Sequence, residues 1–315
     1  MIFTNTLKAD VWFVLVTLLA AISWIFSKEA VLIMPPLLFI SLRFLLAGLL
    51  LAALGYKQIM GLNRAQFSQA IIVGSTFGLG MCFWIMGLYS GVSLSVGSFI
   101  TSLSVVLVPV LDKLFFKAAA PRSVWIAMPV AAVGLAFLSL NEGLQVEKGH
   151  VLFLIATFFL ALFFILNVRA ANHRQAGGLD EILDISKKVP ALSLTAITLL
   201  TVALLSGVLS LIMEQWSELV GNFSIQMVFW VCLSAFIGTA LRFFIQTHAQ
   251  SLSSHSHGVV IMVIEPICTA ILATWWFAES LTDTELIGCG FIFVSLIINK
   301  WSAVLGFIRR PTVEQ

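Results

Sequence analysis

Charge is scarce in this sequence. Asp, Glu, Lys and Arg make up 10% of its 315 residues, where an ordinary soluble domain carries roughly 25%. The formal net charge is only +2, too small for nucleic acid to be the partner. The four cysteines, Cys82, Cys232, Cys268 and Cys289, all lie inside apolar runs. No CxxC and no metal-ligand spacing joins them, so neither a disulfide framework nor a zinc site is expected, and no cofactor. His255 and His257 in the stretch Ser253–His257 have no third ligand in view and make a weak metal signal. The chain also lacks a G-x-S-x-G elbow, an H-E-x-x-H helix and a P-loop, which removes the familiar routes to hydrolysis.

Apolar residues fill the space that charge leaves. They make up 60% of the chain, and the mean hydropathy is +1.06. The runs are continuous and do not alternate as barrel strands do. An all-α polytopic membrane protein is therefore expected, since helices satisfy their own backbone in lipid. Ten transmembrane helices are read, at roughly Asp10–Ile33, Leu37–Leu54, Phe67–Tyr89, Leu94–Phe116, Ser123–Leu140, His150–Val168, Val189–Ile212, Ile225–His248, Gly258–Phe277 and Leu286–Phe307. The first run follows Met1–Asp10 without a small-residue cleavage site, so it reads as a helix and not as a signal peptide.

The connections are unequal in Lys and Arg. With the N-terminus inside, thirteen of the 17 fall on the inner side, from Lys8 to Arg310, against Lys28 and Lys148 outside. Arg43 and Arg242 lie within spans. This bias is expected to place both termini in the cytoplasm, and the expected location is the cytoplasmic (inner) membrane. The longest connection, residues 169–188, holds Gly177-Gly178 and both signs of charge, as a linker between halves would. Its segment Leu179–Lys188 reads either as an amphipathic helix on the inner surface or as a solvated loop.

The chain repeats itself weakly. At an offset of 140, Thr17 meets Thr157, Ala21 meets Ala161, Ile25 meets Ile165 and Ala30 meets Ala170. Later the offset grows to 161, where Gly97 meets Gly258. Two units of five spans follow, 1–148 and 149–315. An odd number of spans inserts the second unit upside down, a plan recurrent in secondary transporters, with the substrate site where the halves meet.

Polar groups inside the spans mark that site. Glu265 precedes Pro266 within Val259–Glu279. A carboxylate at membrane depth is costly and turns to a cavity or a partner, and proline frees a carbonyl and kinks the helix. A protonated or structurally paired glutamate is the competing reading. Thr239, Arg242, Gln246 and Gln250 step by three, four and four, one polar stripe that should face the interior. Arg242 and Glu265 are expected to approach each other or share a substrate. Ser98, Thr101 and Ser102 form a hydroxyl patch on the fourth span, either ligand contacts or glue between helices. Trp24 and Lys28 share a face of the first span, and Lys28 and Arg43 either enter the site or snorkel outward. Trp24 and Trp84 either pack the core or stack on a planar or cationic substrate.

Three patterns carry a resemblance. They are W-x3-K (Trp24, Lys28), PP-x6-R-F (Pro35, Pro36, Arg43, Phe44) and EPICTAILATWWFAES (Glu265–Ser280). The chain resembles an EamA-type transporter of the drug/metabolite transporter superfamily over essentially its whole length, in two copies. The resemblance implies two inverted five-helix repeats around a central cavity, with the last helix of each half as scaffold. It implies family pattern positions at Trp24, Lys28, Arg43, Glu265 and Pro266. The first half departs from the pattern: Lys117 stands where an acidic residue is usual, and Ser104 stands opposite Pro266. The family moves amino acids, nucleotide sugars, vitamins and drugs.

The expected function is secondary transport of a small polar or amphipathic metabolite by alternating access, and not enzymatic. Its candidate substrate-binding residues are Trp24, Lys28, Arg43, Trp84, Ser98, Thr101, Thr239, Arg242, Gln246 and Glu265. Glu265 is the candidate for a proton-linked or substrate-pairing carboxylate. Expected partners are the solute, protons where Glu265 couples them, membrane lipids and, in a homodimer, a second copy of the chain. The alternatives are a membrane-embedded enzyme using the stripe of the eighth span and a receptor that moves no solute.

Overall fold

The structure is a computed structural model. It describes residues 2–118, 120–139, 147–172, 188–216, 224–243, 245–246 and 261–301, with side chains from Asp10 onward. The regular elements among the described residues are all helical. In the first half they are α1 (Ile2–Ile33), α2 (Pro36–Leu54), a short α3 (Tyr56–Met60), α4 (Arg64–Tyr89), α5 (Leu94–Ser102), α6 (Ser104–Phe116) and α7 (Arg122–Ser139). In the second they are α8 (Lys148–Asn172), α9 (Ala191–Met213), α10 (Ile225–Ala235) running into a π-helical turn at Phe236–Leu241, α11 (Glu265–Phe277) and α12 (Asp283–Asn299). The expected amphipathic segment Leu179–Lys188, apart from Lys188, the histidines of Ser253–His257, and Gln250 lie outside the described residues.

Among the described residues, six stretches are long and apolar enough to cross a membrane: 10–33, 36–54, 64–89, 94–116, 148–171 and 191–213. Two shorter apolar helices, Arg122–Leu138 and Ile225–Leu241, accompany them. Polar caps mark where the helices begin. Asn63 and Gln66 form a capping box at α4, Thr282 and Glu285 another at α12, and the Ser93 hydroxyl accepts from the Val96 N–H at α5. Each cap satisfies backbone donors that the helix itself leaves open.

Packing repeats between the halves. α2 lies on α9, and α7 on α12. α4 lies against α8 as α10 lies against α1, and α11 contacts both α1 and α5. Small residues allow the close approaches. A Cβ added at Gly288 would meet the Gly134 carbonyl at 2.8 Å, and one at Gly74 would meet Thr201 Cβ at 2.6 Å. Backbone contact of this kind holds helices together where lipid supplies no hydrophobic drive. The helices that precede α7 and α12, namely α6 and α11, also end alike. Lys117 (φ 55°) and Ala278 (φ 52°) are both left-handed C-caps, 161 positions apart. That matches the offset seen in the sequence.

Breaks in three helices shape the interior. The stretch 94–116 breaks at Leu103, and not at Pro109. Pro109 instead leaves the Val105 carbonyl without its helical partner, and Asn299 Nδ2 of α12 donates to that carbonyl at 2.8 Å. Beyond α10 the chain widens to a π turn, where Thr239 Oγ1 donates to Ser234 O, five residues back, at 3.0 Å. α11 starts at Glu265 with Pro266 at its first turn, a position that needs no proline N–H. Wide turns and helix starts of this kind aim backbone and side chains inward and are frequent at functional sites.

Candidate functional site

These breaks converge on a cavity of about 630 Å³, within the range of small-molecule sites. Nine of the ten residues expected from sequence line it: Trp24, Arg43, Trp84, Ser98, Thr101, Thr239, Arg242, Gln246 and Glu265. Lys28 does not. Its Nζ donates to the carbonyls of Leu88 (3.4 Å) and Val92 (3.3 Å), at and just beyond the C-terminal end of α4. The exposed carbonyls at a helix C-terminus draw a cation, and that pull takes Lys28 away from the site.

Glu265 sits between two donors. Arg242 Nη2 lies 3.6 Å from its Oε2, and Trp24 Nε1 donates to its Oε1 at 3.4 Å. Trp24 is itself held edge-on against Trp84, with ring centroids 4.7 Å apart. Arg242 Nε is buried and has no hydrogen-bond partner. Among the described residues, Arg242 is engaged only by Glu265.

Arg43 is buried, and neutral oxygens surround it. Its Nε donates to Thr239 Oγ1 (2.8 Å), Nη1 to Ser27 Oγ (2.8 Å), and Nη2 to Ser23 Oγ (2.7 Å) and Gly238 O (3.5 Å). No carboxylate among the described residues pairs with it. Ser23 and Ser27 were missed in the sequence reading, although they lie four apart on α1. A Cβ at Gly238 would stand 2.6 Å from Ser23 Oγ, so glycine there admits the Arg43 cluster. On α5, Ser98, Thr101 and Ser102 donate to the backbone carbonyls of Ser95, Gly97 and Phe99 at 2.8, 2.7 and 2.6 Å. Their oxygen lone pairs remain to accept from an occupant or water.

The two ends of the cavity differ. Toward one end the lining includes Asp112, Arg169 and Lys300. Arg169 Nη2 pairs with Asp112 Oδ1 at 2.7 Å, and its guanidinium lies 4.2 Å over the Phe116 ring. At the other end none of the residues that tie the halves together lines the cavity. There Glu279 accepts from the Leu94 N–H (2.9 Å), the Ser95 N–H (3.3 Å) and the Ser95 hydroxyl (3.2 Å). Glu214 accepts from the Leu37 and Leu38 N–H groups at 2.7 and 3.0 Å, the first donors after Pro35-Pro36. Trp276 Nε1 donates to Glu29 Oε1 at 2.7 Å. Two carboxylates of the second half thus cap helix N-termini of the first, where a helix favours negative charge.

An all-helical bundle with membrane-length apolar helices and ionisable groups around an interior cavity defines a multi-pass membrane protein with a solute-sized chamber. A profile of the EamA-like transporter family matches residues 7–140 and again 147–301, and the chain belongs to that family. It is a membrane transporter of the drug/metabolite transporter superfamily. None of the curated proteins compared matches it. Among solved structures 25 chains are similar. One, titled only as a crystal structure of a protein, is 15% identical with a TM-score of 0.59, covering 94% of this chain and 99% of its own. That likeness supports the fold.

Proposed function

We propose that the chain moves a small polar or amphipathic metabolite across the cytoplasmic membrane by alternating access. The halves, 1–148 and 149–315, are two oppositely inserted five-span repeats that rock about the cavity, and both termini are cytoplasmic. The carrying observation is the placement of Glu265 and Arg242. They form a pair 3.6 Å apart inside a chamber whose lining reaches Asp112, Arg169 and Lys300 but none of Glu29, Glu214, Trp276 and Glu279. The excess of Lys and Arg in the connections assigns the Arg169 end to the cytoplasm. The state described is then inward-facing, with Glu214, Glu279 and the Trp276–Glu29 contact closing the outer side.

Trp24, Trp84, Arg43, Ser98, Thr101, Thr239, Arg242, Gln246 and Glu265 form the solute site in this reading. Lys28 acts as a clamp between α1 and the C-terminal end of α4. Transport needs no chemistry at the solute, so the test is flux against conversion. Purified protein is screened for metabolites that raise its thermal stability, and a stabilising one is followed in proteoliposomes. Uptake of that solute intact, abolished by Glu265→Ala, supports the reading. Chemical change of the solute supports a membrane-embedded enzyme instead. Stabilisation without uptake supports a receptor.

A further inference from the structure

The charges around the chamber are unbalanced in one sense. At its centre stand two guanidiniums, Arg43 and Arg242, and one carboxylate, Glu265. At its mouth stand Arg169 and Lys300 against Asp112. Each acid is matched by one arginine, Glu265 by Arg242 and Asp112 by Arg169. Arg43 and Lys300 remain without a carboxylate among the described residues. An uncompensated buried cation is expensive in a low-dielectric surround, and a positive mouth draws anions toward it.

Arg242 supplies the docking point. Its side chain lines the chamber and is 25% exposed, and the 3.6 Å contact to Glu265 is made by Nη2 alone. A guanidinium binds an oxyanion best through two parallel N–H groups, and the Nη1–Nη2 edge of Arg242 keeps N–H groups that Glu265 does not take. Apart from the hydroxyls and Gln246 already described, much of the remaining wall is apolar. Phe77 and Phe163 stack with centroids 4.2 Å apart, and Phe44 meets Phe77 edge-on at 5.7 Å. All three line the chamber.

We propose that the solute is an amphipathic monoanion, an organic acid with one carboxylate on the free edge of Arg242 and an apolar or aromatic body against Phe77 and Phe163. This deepens the transporter reading of the same cavity and rests on it. One negative charge brings Arg43, Arg242 and Glu265 to neutrality, which a zwitterion leaves one charge short and an amine worsens.

The test compares four probes of one shape on the purified full-length protein by isothermal titration: 3-phenylpropionate, its amide, 3-phenylpropylamine and phenylalanine. The carboxylate is expected to bind at least about tenfold tighter than each of the others, by the strength of charge-assisted pairing. Arg242→Gln is expected to abolish that preference, and Arg242→Lys to restore part of it. Equal binding of acid and amide, tighter binding of the amine or of phenylalanine, or no binding of any probe overturns the proposal. The wild-type series decides even if the variants do not fold. Flux of 3-phenylpropionate in proteoliposomes is scored separately. Binding with the acid preference but no flux sinks transport and leaves the anion site standing. Flux without the preference does the reverse.

Discussion

Arg242 and Glu265 meet at 3.6 Å from two helix irregularities. Arg242 follows directly on the π turn Phe236–Leu241, and Glu265 opens α11 ahead of Pro266. Their side chains are 25% and 22% exposed, so water in the chamber screens the attraction. A double-mutant cycle of Arg242→Gln and Glu265→Gln, read by reversible denaturation in bicelles, is expected to show coupling of about 0.5–1 kcal/mol. Simple additivity would mean that the pair does not act as a unit.

Arg43 is expected to hold its charge for function and not for stability. A buried cation with no counter-ion carries a large desolvation cost, and an apolar side chain of similar size removes that cost along with the hydrogen bonds. Arg43→Met is therefore expected to unfold within about 1 kcal/mol of the wild type while losing solute-dependent thermal stabilisation. A protein that collapses but still binds solute would show the reverse assignment.

Gly238 makes room for Ser23. An added methyl stands 2.6 Å from Ser23 Oγ, a clash that displaces one of the Arg43 acceptors. Gly238→Ala should lower the melting temperature, and Gly238→Ala with Ser23→Ala should recover part of the loss. Costs that merely add would contradict this contact.

The arginine–glutamate pairing was legible in the sequence because a polar stripe of period near 3.6 and a lone carboxylate beside proline are costly anywhere but an interior. The hydroxyl patch on α5 was legible for the same reason. Lys28 was not, because its destination is a pair of main-chain carbonyls from α4 and the loop after it, and main-chain groups leave no side-chain signature. Glu214 and Glu279 cap helices 177 and 185 residues distant in the chain, which only the packing of the halves brings near. The break at Leu103 has no proline or glycine to announce it, and Pro109 marks a lost hydrogen bond but not where the helix yields.

Asn299 answers for that lost bond. Its amide caps the Val105 carbonyl at 2.8 Å, the acceptor that Pro109 cannot serve. Asn299→Ala should cost about 1–2 kcal/mol in the natural background and much less after Pro109→Ala, whose restored N–H serves Val105. Denaturation of the four proteins measures the difference, and an equal cost in both backgrounds would remove the link.

Access to Thr101 from the two faces of the membrane tests alternation most directly. Thr101 lines the chamber. Thr101→Cys is placed in a background without Cys82, Cys232, Cys268 and Cys289, reconstituted in oriented proteoliposomes, and offered a membrane-impermeant maleimide on one face at a time. Reaction is expected from both faces, faster from the Arg169 face. Glu279→Gln, which weakens a helix N-terminal contact worth about 0.3–2 kcal/mol, is expected to speed reaction from the opposite face. Reaction from one face only, unchanged by Glu279→Gln, would contradict a chamber that opens alternately to the two sides.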